Sequence, residues 1–116
     1  MTVNELKNMT VEIKGYTMLE DYYYGPDALH VKCKMSEALA IMRECAEDGM
    51  ACCPDVFYRV TFLINAEDGT HMFSLGRELD DVCLGRDNEL GLTKMMVEEA
   101  LGIKYDKRDI KRYRNH

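Results

Sequence analysis

The stretch Leu29–Asp48, LHVKCKMSEALAIMRECAED, holds two hydrophobic periods back to back. In its first half Leu29, Val31, Cys33 and Met35 alternate with His30, Lys32 and Lys34. A period of two describes a strand with one dry face and one cationic, solvated face. From Ser36 onward Ala38, Ile41, Met42 and Cys45 recur at i, i+3, i+4 and i+7, and Leu39 and Ala46 widen the stripe. That is an amphipathic helix, with Glu37, Arg43, Glu44 and Glu47 on its outer face. Ser36 is placed to cap its start and Gly49 to end it.

Upstream, Val11 and Ile13 alternate with Thr10, Glu12 and Lys14, which predicts a half-buried strand. The run Tyr16–Tyr24 (YTMLEDYYY) is rich in β-favouring aromatics. Gly25–Ala28 (GPDA) has turn chemistry, with Pro26 pre-set for the second position of a β-turn. Residues 2–9 read as a short helical turn or a frayed end.

Downstream, Met50–Asp55 (MACCPD) is a connector. Residues 56–65 then predict a strand with Val56, Tyr58, Val60, Phe62 and Ile64 on one face, and Phe57 and Leu63 on the other. Apolar residues on both faces point to a central strand covered on both sides. Ala66–Gly69 (AEDG) reads as a hairpin loop with Gly69 at a left-handed position, and Thr70–Gly76 as the return strand. The segment between Gly76 and Asp87 fits a short helix or an irregular loop. A last helix is predicted over Glu89–Leu101, with Leu92, Met95, Met96, Val97, Ala100 and Leu101 as apolar positions and Gly102 as its stop.

The resulting order, approximately ββ-α-ββ-α, predicts an α+β fold: an antiparallel sheet with helices packed on one face. One domain over residues 1–103, followed by a basic arm at 104–116, fits a chain of 116 residues. With 47% hydrophobic and 31% charged residues, composition argues against wholesale disorder. No apolar run reaches the roughly 18 residues of a membrane span, and residues 1–14 lack the layout of a signal peptide. Five cysteines without an export signal predict reduced thiols and a cytoplasmic setting.

Charge is distributed unevenly. Residues 1–100 hold nine basic and nineteen acidic side chains, net −10; residues 101–116 hold six and two, net +4, which gives −6 in all. In the arm Lys104, Lys107, Arg108, Lys111, Arg112 and Arg114 are interleaved with Tyr105, Ile110 and Tyr113. Such a cationic segment can balance the acidic body by docking on it, clasp a neighbouring subunit, or touch RNA or DNA. The acidic body repels a phosphate backbone, which ranks the nucleic-acid use last.

Motifs for catalysis are missing. The sequence contains no phosphate-binding loop, no dinucleotide fingerprint, no nucleophile elbow and no zinc-protease motif. No C-x-x-C pair occurs, and His30 and Cys33 would lie on opposite faces of a strand, so neither metal nor cofactor is expected. His71 with Cys83 and the nearby carboxylates is the best candidate for a small enzyme or a small-molecule site. Five carboxylates, Glu78, Asp80, Asp81, Asp87 and Glu89, fall within twelve residues without matching a calcium loop. Charge runs of this kind are usually solvated faces. Tyr22, Tyr23 and Tyr24 are candidate interface anchors, since tyrosine offers contact area at low entropy cost.

In size, acidity and lack of motifs the chain resembles small proteins of phages and mobile elements, anti-CRISPR inhibitors and other nucleic-acid mimics among them. No residue pattern supports the likeness, so no functional residue is carried over. The resulting expectation is a non-enzymatic acidic protein that inhibits or regulates a basic, nucleic-acid-binding partner. Its contacts would be the five carboxylates and the tyrosine triplet. A small-molecule-binding domain or small enzyme with a site around His71 and Cys83, or an oligomeric structural subunit, is the alternative.

Overall fold

The computed structural model describes residues 1–19 and 22–103, with the side chains of residues 18–28 left out of that description. The basic arm, with Lys104, Lys107, Arg108, Lys111, Arg112 and Arg114, lies outside the described residues. The order is α1 (Val3–Asn8), β1 (Thr10–Leu19), β2 (Tyr22–Lys34), α2 (Met35–Cys52), α3 (Pro54–Phe57), β3 (Thr61–Ala66), β4 (His71–Gly76), β5 (Cys83–Leu84) and α4 (Lys94–Leu101). The five strands form one antiparallel sheet in the order β2-β1-β3-β4-β5. The fold is α+β.

Register explains the two faces. Val11 pairs with Cys33 and Ala66, Ile13 with Val31 and Ile64, and Ile64 in turn with Phe73. Partners across a ladder share a face, so these residues build one apolar surface. Val11, Ile13, Phe62, Ile64 and Phe73 on it are fully buried. They form one core with Leu6 of α1, Met35, Ala38, Leu39 and Met42 of α2, and Val97, Ala100 and Leu101 of α4. The opposite face carries Glu12, Lys14, His30, Lys32, Leu63, Asn65 and Ser74, all at least partly exposed. The expected double cover of β3 is therefore incorrect. Its burial alternates strictly, and Leu63 is only half-buried.

Several predicted boundaries move. The aromatic-rich run from Tyr16 to Tyr24 contributes to two strands, with Leu19 of β1 opposite Tyr22 of β2. Gly25–Ala28 is not a turn between strands but a part of β2. Tyr24 to Leu29 covers five steps against two from Gly15 to Thr17, so β2 gains three residues there. An edge strand tolerates Pro26 because one side of it needs no ladder partner. Ser36 is not the cap of α2. Strand leads directly into helix at Lys34, and the Met35 N–H donates to the Met9 carbonyl at 2.9 Å.

Gly49 does not stop α2 either; it is buried against the Phe57 ring, and the helix runs on to Cys52. Val56 and Phe57 consequently belong to or border α3 rather than β3, and Tyr58 is exposed. Helix α4 starts at Lys94, not Glu89. Asn88 (φ 43°) and Gly91 (φ 64°) take left-handed conformations. The Asn88 side chain closes that turn, donating to the Leu92 carbonyl and accepting from its N–H, both at 2.8 Å. Thr93 then caps the helix, its hydroxyl accepting from the Met96 N–H at 3.2 Å. Met95, predicted as apolar core, is 79% exposed.

The hairpin at Ala66–Gly69 forms as expected, with Gly69 at φ 93°. Gly102 ends α4 in the left-handed conformation. Residues 3–8 are a capped helix, α1, in which the Thr2 hydroxyl accepts from the Glu5 N–H and Glu5 accepts from the Thr2 N–H.

Candidate binding surfaces

The acidic segment leaves the end of β4 in a turn closed by the Leu79 N–H on the Gly76 carbonyl at 3.0 Å. Leu79 and Val82 drop into the core, 8% and 3% exposed. Burying these two positions turns Glu78, Asp80 and Asp81 outward, and all three are exposed. Glu78 and Asp81 each have a cation beside them. Glu78 Oε1 accepts from Arg77 Nη2 at 2.7 Å, and Asp81 Oδ1 accepts from Lys94 Nζ at 2.8 Å. Arg77 also stacks over the Tyr58 ring, 4.8 Å from its centroid. Asp87 and Glu89 follow β5 rather than joining the first three along one loop. The run of five carboxylates thus divides into a group of three and a pair.

The pair borders a depression of about 320 Å³ beside the start of β4, whose lining includes His71, Gly85 and Arg86. His71 is exposed, and its Nδ1 lies 2.9 Å from Asn65 Oδ1. Cys83 is exposed too, on β5 opposite Ser74. Among the described residues no hydrogen bond joins His71 to Cys83. A thiol nucleophile needs a base within hydrogen-bond reach, and this imidazole is engaged with an amide instead. No group of three His, Cys, Asp or Glu that could hold a metal occurs among the described residues. Nor, among them, is any helix long and apolar enough to cross a membrane.

Tyr22, Tyr23 and Tyr24 sit on β2 opposite Leu19, Met18 and Thr17. On the open sheet face the basic residues of β2 lie opposite polar and charged residues of β1. Lys14 lies opposite His30, Glu12 opposite Lys32, and Thr10 opposite Lys34. Glu12 sits 3.3 Å from the His30 imidazole and 3.4 Å from Lys14 Nζ. The hydrogen bond from His30, with a smaller contribution from Lys14, holds its carboxyl below the usual glutamate range. This corner is positive within an otherwise acidic body.

A further surface did not emerge from the sequence. Ile41 and Cys45 fit the apolar stripe of α2, yet both remain half-buried, because the residues facing the sheet are Met35, Ala38, Leu39, Met42, Ala46 and Gly49. Together with Leu29 of β2 and Phe57 of α3 they line a groove of about 450 Å³. Glu44 and Asp48, also in its lining, are exposed. The one available hint was the width of the stripe, six positions where a single face needs fewer. Partial burial and then Asp48 raise the Cys45 thiol above its usual range, which leaves it protonated at neutral pH. No family model, curated protein or solved structure matches the chain.

Proposed function

We propose that the protein is an acidic binding module that inhibits or regulates a basic protein, with a nucleic-acid-binding protein as the partner class. The observation carrying this reading is the segment Glu78–Asp81. Two buried anchors, Leu79 and Val82, present its carboxylates to solvent from a defined turn instead of a floppy tail. Helices α2 and α3 add to the same sign, with five acidic residues and one basic over residues 35–57. Surfaces that bind nucleic acids are built to receive negative charge, and carboxylates on a folded scaffold can occupy them in place of phosphates. An anti-CRISPR-like inhibitor is the specific form of this reading.

The double variant Asp80→Lys, Asp81→Lys tests it. Affinity for a basic, nuclease-resistant partner should fall at least tenfold, about 1.4 kcal/mol, while the far-ultraviolet spectrum and unfolding midpoint stay near those of the parent. Wild-type affinity should also weaken steeply with added salt. Unchanged affinity in the double variant would remove the acidic segment as the contact.

A further inference from the structure

The groove beside α2 has an apolar floor and a charged rim. Ile41 and Cys45 of α2, Leu29 of β2 and Phe57 of α3 supply its apolar lining. Gly49 lets the Phe57 ring lie directly on the helix, because a Cβ there would occupy the place of the ring. Along the rim Glu44 and Asp48 stand one helical turn apart, and among the described residues neither has a cationic partner within ion-pair distance. The volume, about 450 Å³, falls in the range of about 300–1,000 Å³ found for binding clefts. Apolar surface with two unneutralised carboxylates beside it rejects anions and favours a cation that carries its own apolar side chains.

We propose that this groove docks an amphipathic cationic segment of a partner protein. The segment seats apolar side chains between Ile41, Leu29 and Phe57 and sets lysine or arginine against Glu44 and Asp48. This rests on the reading of the protein as a binder of basic partners, and adds a second contact along the flank of α2, next to Gly49 of its sheet-facing row. The groove supplies what the acidic segment at Glu78–Asp81 lacks: apolar area to hold a partner after charge has steered it in.

Three cysteines in the groove lining, Cys45, Cys52 and Cys53, report occupancy, and Cys83, exposed on β5, serves as an internal reference. The full chain is mixed with a dye-labelled synthetic leucine–lysine peptide whose leucines follow helical i, i+3, i+4 spacing. A permuted peptide of the same composition is the control. Anisotropy of the dye reads binding; alkylation rates read by mass spectrometry locate it. With the peptide at about ten times its Kd, alkylation of Cys52 and Cys53 should slow about tenfold while Cys83 is unaffected. Ile41→Asp, and separately Glu44→Lys with Asp48→Lys, should each abolish that protection. The charge pair is on the exposed face of α2, so its variant keeps the test valid if Ile41→Asp unfolds.

Binding by anisotropy without cysteine protection would overturn the groove and leave the acidic reading standing. No binding at all would remove both. Equal protection by the permuted peptide would reduce the effect to charge alone and overturn the docking site. Slow alkylation in the free chain would also overturn it: concentration dependence would assign the groove to a second copy. Relief by Lys107→Glu with Lys111→Glu would assign it to the chain's own terminus.

Discussion

Gly49 shows how one residue can be right in chemistry and wrong in role. A glycine after an apolar stripe is the usual way to end a helix, and nothing within α2 says otherwise. The deciding contact comes from Phe57, outside the helix, whose ring packs where a side chain on residue 49 would be. Gly49→Ala gains up to about 1 kcal/mol in helix propensity. It must also push the ring aside, an overpacking cost of about 1–3 kcal/mol. The expected outcome is a lower denaturant midpoint with unchanged m-value. Adding Phe57→Leu should recover part of the loss, since the two sites share one contact and their effects should not add. A variant more stable than the parent would mean that the glycine is there for neither packing nor termination.

At the scale of elements, strict alternation and the Gly69 turn were legible, and long-range capping was not. β1, β4 and the Gly69 hairpin begin where or within a residue of where their patterns put them, because each pattern is local, whereas β3 keeps only the second half of its predicted run. Both helix starts were misread, for different reasons. Ser36 resembles an N-cap, but the orphan Met35 N–H is satisfied by Met9, adjacent through the β1–β2 pairing and remote in sequence. At α4 the apolar pattern extends back to Leu92, but the Asn88 turn holds that residue outside the helix. The two positions therefore predict opposite responses. Thr93→Ala should cost about 1 kcal/mol, because its hydroxyl satisfies the Met96 N–H. Ser36→Ala, despite the better sequence signature, should stay within about 0.5 kcal/mol of the parent. Chemical denaturation of both variants side by side decides it; a larger loss at Ser36 would contradict the assigned caps. β2 was misread because proline and glycine signal a turn, whereas an edge strand can absorb them as extra residues.

Across the whole molecule, the sign of the charge was legible and its layout was not. Counting residues yields an acidic body, but only the strand register gathers Lys14, Lys32 and Lys34 on the open sheet face and leaves α2 and the β4–β5 segment acidic. The five candidate carboxylates are all exposed, but β5 divides them, and Glu78 and Asp81 sit against Arg77 and Lys94. The groove was invisible because its walls come from three elements. The same electrostatic layout fixes how stability should respond to acid. Glu5, Glu12 and Asp68 all have carboxyls held below their ordinary range. The Thr2 backbone hydrogen bond is the main cause at Glu5, the His30 hydrogen bond at Glu12, and the Thr70 backbone hydrogen bond at Asp68. A folded pKa below the unfolded one means that the unfolded chain binds protons first. The contribution of each group is thus fully present above the unfolded carboxylate range, near pH ~4, and is lost as pH falls through the depressed folded value. Glu12→Gln isolates one of them. The variant should unfold at a lower temperature than the parent at neutral pH, because it loses the charge that His30 and Lys14 favour. The gap should close as pH falls through the depressed folded value, where the parent carboxyl itself takes up a proton. High salt at neutral pH should narrow the gap as well, since all three side chains reach solvent. Thermal melts of the two proteins from pH 7 down to the acid limit of the folded state provide the measurement. A gap of constant size across that range would mean that Glu12 acts through packing and not through its charge.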